Sequence, residues 1–249
     1  MTRDYQTGFY NLSHKVRDRE SRLKKADKIA YLLTQRTSFP LSGTTCLDVG
    51  CSSGIMTAAL APLFGKTFGI DYDEIALKNT GAVTANGLLF LRGDAMRLSF
   101  ADCSADVIVC AQVYEHVPDD TKLAAEMYRV LKPGGVVFFS GPNRLFPIEL
   151  HYNLPFIHWL PSRLADACLR LLGRGDRYYE RSRTLWGLRR LFAQFAVYDV
   201  TIDVLLRYSQ TAEIASLTWW MGRVPGFILK LLLPVFPNYN WLLYKPATR

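Results

Sequence analysis

Apolar residues along this chain recur in two rhythms, and their alternation predicts the architecture. Short unbroken apolar runs at residues 45–49, 67–70, 88–91, 105–111 and 136–140 read as strands, with Val107-Ile108-Val109 as a β-branched centre. Between them, residues 55–64, 74–85 and 121–131 carry apolar positions at helical spacing. These segments stop at Gly65, at Asn86-Gly87 and at Lys132-Pro133-Gly134-Gly135, all helix breakers. Strands that are apolar throughout are buried on both faces. The pattern therefore predicts an α/β fold: a doubly wound, mostly parallel sheet with helices on each side. Residues 14–36 precede the first strand as a basic amphipathic helix, with Val16, Leu23, Ile29, Leu32 and Leu33 as its apolar points.

The rhythm breaks at Pro142. Residues 143–183 are rich in proline, aromatics and arginine. A helix resumes over residues 185–195, and residues 197–206 read as a strand. An apolar segment follows over 211–237, holding Trp219, Trp220 and the run 224–236, and residues 241–244 close the chain as a strand. The run 224–236 is too short to span a bilayer, and Pro225, Lys230 and Pro234 interrupt it. It reads as a buried helix or as a segment lying in a membrane interface, with the tryptophans at headgroup level. The chain divides as one domain, residues 1–249, with an N-terminal basic helix region (1–43), a cofactor-binding core (44–142) and two cap insertions (143–183 and 209–237).

The densest chemistry lies in Leu47-Asp48-Val49-Gly50-Cys51-Ser52-Ser53-Gly54. A strand delivers Asp48, and a turn of small residues then opens a helix. Gly50 and Gly54 let backbone approach a ligand, and the helix start offers free N–H groups. Asp71 follows seventeen residues after Gly54, at the end of the second strand, where a carboxylate can hydrogen-bond both hydroxyls of a ribose. Asp94 and Ala95 follow the third strand, placed to meet an adenine edge through a carboxylate and a backbone N–H. In a doubly wound sheet such strand ends face one crevice, so the carboxylates of Asp48, Asp71 and Asp94 are expected to converge at one rim.

Two other readings of this turn stay open. Gly50-Cys51-Ser52-Ser53-Gly54 fits the G-x-S-x-G elbow of α/β-hydrolases, with Ser52 as nucleophile, but this turn follows the first core strand and the elbow leaves Asp71 and Asp94 unused. A nicotinamide-binding site would want G-x-G-x-x-G, and the spacing here is G-x-x-x-G.

With these residues in place, the chain resembles the class I S-adenosylmethionine-dependent methyltransferases, above all the small-molecule group that includes ubiquinone- and menaquinone-biosynthesis enzymes. The likeness rests on residues 48–54, Gly69-Ile70-Asp71, Gly93-Asp94-Ala95, Val113-Tyr114-Glu115-His116-Val117 and Leu131-Lys132-Pro133-Gly134-Gly135. It implies S-adenosyl-L-methionine as cofactor, with Gly50 and Gln112 beside its methionine part, Asp71 on its ribose, and Asp94 with Ala95 at its adenine. It implies a seven-stranded sheet whose last strand is antiparallel. The sequence departs from the family at Ser52, where the usual motif has glycine.

Methyl transfer from a sulfonium is an in-line displacement, so the protein mainly aligns the acceptor and excludes water. A hydroxyl acceptor must also lose a proton, and His116, in the loop after the fourth strand, is the first candidate base. His151, with Tyr152, is the second, while His14 and His158 read as structural or exposed.

Charge narrows the acceptor. The net charge of +8 sits in two segments: residues 14–28 carry seven cations against three acids, and residues 163–190 eight arginines against three acids. Such patches attract phosphates, although a solvated helix face explains them equally. Aromatic and apolar caps over the crevice suit a small hydrophobic or lipid-like acceptor, with an anionic membrane surface as partner and nucleic acid, such as tRNA, as the less favoured one. A soluble sugar methyltransferase and a non-catalytic cofactor-binding protein remain alternatives. The first twenty residues hold no signal peptide, and the five cysteines form no CxxC pair, so neither a disulfide framework nor a metal site is expected. The expected location is the cytoplasm, with peripheral attachment to the inner membrane surface as the variant reading.

Overall fold

The computed structural model describes residue 10 and residues 18–80, 87–208 and 224–247. Helix α1 (Arg19–Arg36) starts where the Asp18 carboxylate accepts hydrogen bonds from the N–H groups of Glu20 and Ser21, at 3.1 and 3.3 Å. It buries Ala26, Ile29, Leu32 and Leu33. Residues 14–17 of the expected helix lie outside the described residues.

Then come β1 (Thr45–Val49), α2 (Ile55–Leu60), β2 (Lys66–Asp71), α3 (Glu74–Lys78), β3 (Leu88–Arg92), β4 (Ala105–Ala111), α4 (Asp120–Val130) and β5 (Leu131–Pro142). The expected helix over 55–64 becomes α2 plus a single 3₁₀ turn, Ala61–Leu63, because Pro62 has no N–H to continue the ladder. Residues 81–86 of the helix expected over 74–85 are outside the described residues. The chain closes with β8 (Ala196–Asp199) and β9 (Asn238–Tyr244).

These strands form one seven-stranded sheet in the order β3-β2-β1-β4-β5-β9-β8. Strands β1 to β5 pair in parallel, and β9 runs antiparallel between β5 and β8. Alternate residues fill two cores. Leu47, Val49, Ile108, Cys110, Val137, Phe139 and Trp241 face one side, while Cys46, Val107, Val109, Val136, Phe138 and Leu242 face the other, toward α1. The closing strand is anchored by Lys245, whose ammonium donates to the carbonyls of Tyr128 and Leu131 at 2.8 and 2.7 Å, at the C-terminal end of α4.

One element departs from expectation. The strand read over 197–206 is β8 followed at once by α7 (Thr201–Tyr208). The Asp199 carboxylate accepts the Thr201 N–H at 2.9 Å and starts the helix, and Ile202 and Leu205 then pack at helical spacing. The helix expected over 185–195 is shorter, α6 (Leu185–Leu191), and Phe192 and Phe195 beyond it turn into the core.

The first insertion holds a two-stranded hairpin, β6 (Ile148–Glu149) with β7 (Leu154–Pro155), and α5 (Ser162–Leu171), gathered on a small core of Leu154, Ile157, Ala165 and Leu169. Its two ends meet: Asn143 and Arg183 form a β-bridge, and the Arg144 N–H donates to the Arg183 carbonyl at 3.0 Å. The described part of the second insertion holds α8 (Gly226–Leu232), where Leu229 and Phe236 pack with Ile202 and Leu205. Trp219 and Trp220 lie outside the described residues. The Asn143 amide joins the two insertions by donating to the carbonyls of Pro234 and Phe236 at 2.8 and 2.7 Å.

The buried Tyr114 ties the first insertion to the sheet. Its hydroxyl donates to the Pro142 carbonyl at 2.5 Å and accepts the Arg183 N–H at 3.0 Å. Tyr114→Phe leaves two buried backbone groups without that partner, so it is expected to cost about 1–3 kcal/mol in urea unfolding.

Candidate functional site

The turn after β1 is built on two left-handed backbone positions. Gly50 has φ +79°, and a Cβ there would lie 2.4 Å from Val113 Cγ2, in the loop after β4. Gly54 has φ +73° and precedes α2. Ser52, which stands where the related motif has glycine, has φ +53°. A non-glycine residue pays a modest strain in this region, and here the Ser52 N–H is fixed by donating to Asp71 Oδ2 at 2.7 Å.

Asp71 ends β2 half-buried, and its other oxygen accepts the Asp73 N–H at 2.8 Å. Each carboxylate oxygen keeps a lone pair for a ribose hydroxyl. Burial raises the Asp71 pKa, against the pull of those N–H bonds. The Gly93 N–H donates to the Asp71 carbonyl at 2.9 Å, which brings the loop of Asp94 and Ala95 alongside Asp71. Asp94 turns part of its carboxylate inward, accepting the Met96 N–H at 2.9 Å. Gln112 has φ +60°, with its N–H on the Ser140 carbonyl at 2.8 Å.

Asp48 sits differently from the other two acids. Its side chain is buried beneath the turn, where Thr57 Oγ1 donates to Oδ2 at 2.6 Å and Oδ1 has no hydrogen-bond partner. Burial pushes its pKa up to about 6, with Asp71 adding to the rise and Thr57 and Arg22 opposing it.

S-adenosylmethionine fits these residues. The tight Gly50 turn, the half-open Asp71 carboxylate and the orphaned Asp48 oxygen together offer backbone approach, hydroxyl acceptors and a buried negative charge.

Beyond the Val113 loop, the folding of the first insertion brings a second cluster together. Glu115 is fully buried, and neither carboxylate oxygen has a hydrogen-bond partner. His116 Nε2 lies 3.7 Å and His151 Nε2 3.9 Å from Glu115 Oε1, and the two imidazoles meet edge to face with centroids 4.9 Å apart. His151 Nδ1 is 2.7 Å from Glu149 Oε1.

Burial and the neighbouring His151 hold the His116 pKa well below the usual value, so its imidazole is neutral. Burial would also strip the proton from His151, but the Glu149 hydrogen bond, with Glu115 and Glu180 nearby, outweighs it and raises the pKa to about 9. Burial lifts Glu115 and Glu180 each to about 7. The two histidines named from the sequence thus stand side by side in opposite charge states. Glu149 and Glu180 escaped the sequence reading. Glu149 stands two residues before His151, a weak local signal, whereas Glu180 carries none. His158 is buried in a 3₁₀ turn, and His14 lies outside the described residues.

Glu115, His116 and His151 also present donor atoms within 4.8 Å of one another, a set able to hold a divalent cation, although the sequence showed no metal-binding spacing.

A parallel sheet with a reversed closing strand, carrying an acid at successive strand ends beside a glycine turn, defines a nucleoside-binding methyl-transfer fold. A family profile described as a methyltransferase domain matches residues 47–139. Among curated proteins, the chain is similar to a ubiquinone biosynthesis O-methyltransferase of Thiobacillus denitrificans, 37% identical over 184 residues, covering 70% of this chain and 73% of the relative. The same-named enzyme of Pseudomonas putida is 34% identical over 188 residues, with the same coverage. A solved S-adenosylmethionine-dependent methyltransferase from Mesorhizobium loti shares the fold, with a TM-score of 0.55 and 16% identity over 88% of this chain and 99% of that one. The chain belongs to the S-adenosylmethionine-dependent methyltransferases. That membership removes the hydrolase, nicotinamide and non-catalytic readings of the turn.

Gly50→Ala is expected to weaken S-adenosylmethionine binding by about tenfold or more in calorimetry, and Val113→Ala in the same chain to restore part of it by clearing the collision. Asp48 generates a pH signature. Its folded pKa lies above its unfolded one, so the stability from its bound proton is full below about pH 4 and is lost as pH rises through about 6. Relative to the parent, Asp48→Asn should therefore gain stability across that window, approaching about 3 kcal/mol, then level off in urea melts recorded from acid to neutral pH.

Proposed function

We propose that the chain methylates an oxygen of a small hydrophobic acceptor, with His116 taking the acceptor's proton. The observation carrying this reading is the position of His116, buried with its Nε2 3.7 Å from Glu115 Oε1, in the loop that also packs on Gly50. A neutral imidazole is a competent base, and an adjacent carboxylate stabilises the imidazolium that forms. His151, held by Glu149, meets the same Glu115 oxygen as His116. The cofactor supplies an already activated methyl, so the remaining tasks are deprotonation, alignment and exclusion of water, which the two insertions over the crevice perform. The printed names of the curated relatives, O-methyltransferases, favour oxygen as the accepting atom.

A second reading rests on the unpartnered oxygens of Glu115. A divalent cation held by Glu115, His116 and His151 would bind the acceptor oxygen and lower its pKa, replacing the base.

The acceptor is lipid-like and the chain works at an anionic membrane surface in the cytoplasm. Support comes from Phe156, Trp159, Leu164 and Leu171, exposed apolar residues of the first insertion interspersed with arginines. No described helix is long and apolar enough to cross a membrane.

His116→Ala is expected to lower kcat on a phenolic or catecholic acceptor by about 10²–10⁴-fold while leaving cofactor affinity unchanged. Retention of parental turnover sinks the base. Activity abolished by EDTA and restored by a divalent cation decides for the cation reading.

A further inference from the structure

Between the first insertion and the loop after β4 lies an open cavity of about 700 Å³ that the methyl-transfer chemistry does not use. It opens beside the catalytic loop: Val117 and Pro118, directly after His116, form one wall, and Glu180, whose charge is felt at His151 and Glu115, forms another. We propose that this cavity holds a phosphate or diphosphate group of the acceptor, so that the substrate is a phosphorylated lipid. The proposal rests on the methyl-transfer reading only for the identity of the ligand as acceptor.

Charge is the first argument. Arg144, Arg163, Arg177, Arg181 and Arg183 line the cavity against three acids, Asp120, Asp166 and Glu180. Two of those acids are engaged: Asp120 accepts from the Arg183 guanidinium in a two-pronged pair, and Asp166 accepts the Tyr178 N–H at 2.8 Å. Glu180 is buried, and the five arginines still outnumber the three acids. The wall thus presents an excess of guanidinium, whose planar fork matches phosphate oxygens in pairs.

A second argument is geometric. Ser162 and Arg163 line the same cavity and open α5, a ten-residue helix whose first turn has no side-chain cap. The positive end of this helix therefore lies at the cavity wall. His158 also lines the cavity; it is 9% exposed, and its Nε2 has no hydrogen-bond partner.

The third argument separates a lipid from a free phosphate. Phe156, Trp159, Leu160 and Leu164, all at least 40% exposed, border the α5 end of the cavity in sequence, and Leu160 lines it. Anionic pocket and apolar shoulder together match a headgroup and its chain, and no other part of a soluble phosphate compound needs such a shoulder.

The test uses the full chain and dioctanoyl phosphatidic acid below its micellar concentration, with binding followed by calorimetry. The expected result is that this probe binds about tenfold or more tightly than dioctanoylglycerol, which lacks the phosphate, and than inorganic pyrophosphate, which lacks the chains. Arg163→Gln with Arg177→Gln, both exposed positions, should weaken the probe by about tenfold with cofactor affinity unchanged. Parental binding in that variant overturns the proposal, as does pyrophosphate binding as tightly as the lipid. Displacement of the probe by tRNA at lower concentration than by phosphatidic acid vesicles overturns it in favour of nucleic acid. Probe binding is read without turnover. If His116→Ala keeps full activity while the arginine variant loses the lipid, the proton-transfer reading falls and the cavity assignment stands.

Discussion

Parallel strand direction is the constraint from which the rest follows. Strands β1 to β5 run the same way, so every loop leaving their C-terminal ends enters one crevice. The glycine turn after β1, Asp71 after β2, Asp94 after β3, Gln112 to His116 after β4 and the first insertion after β5 are neighbours for that reason alone. The contact between Gly50 and Val113 makes this physical: the glycine turn and the loop after β4 pack so closely that one methyl group would separate them. Reversal of β9 brings the end of the second insertion to Pro142, and Asn143 then ties the two caps together.

Against that rigid rim, the Glu115, His116, His151, Glu149 and Glu180 cluster is expensive to bury. Uncompensated carboxylates inside a protein are destabilising, and Glu115 keeps both oxygens free of hydrogen bonds. Stability gives no reason to retain such a group. Perturbed ionisable groups in a crevice point to function, and here burial lowers the His116 pKa while the Glu149 hydrogen bond raises that of His151 against its own burial.

Much of this was legible from the chain because the decisive information is local. Strand β4 falls at residues 105–111 as the apolar run indicated, since a strand buried on both faces needs no partner to declare itself. The cofactor turn is equally local: strand, small residues and helix follow one another within ten positions. The 197–206 segment misled because its apolar residues suit either period, and the deciding event is one side-chain bond from Asp199 to the Thr201 N–H. Asp48 read as a rim carboxylate like Asp71, yet strand alternation turns it under the sheet toward Thr57. Glu180 was invisible because it nears Glu115 and His151 only once the insertion folds back on itself, and Glu149 offered only its place two residues before His151.

The adjacency of Asn143 and Arg183 has an evolutionary consequence. A forty-residue excursion that leaves and re-enters the body at one point, fastened there by the Tyr114 hydroxyl, the Asp120–Arg183 pair and the Glu115 carbonyl, is built as an exchangeable cassette. Selection can rewrite what such a segment grips without disturbing the nucleoside pocket, so substrate range in this lineage should drift faster than chemistry, and relatives sharing the glycine turn need not share an acceptor.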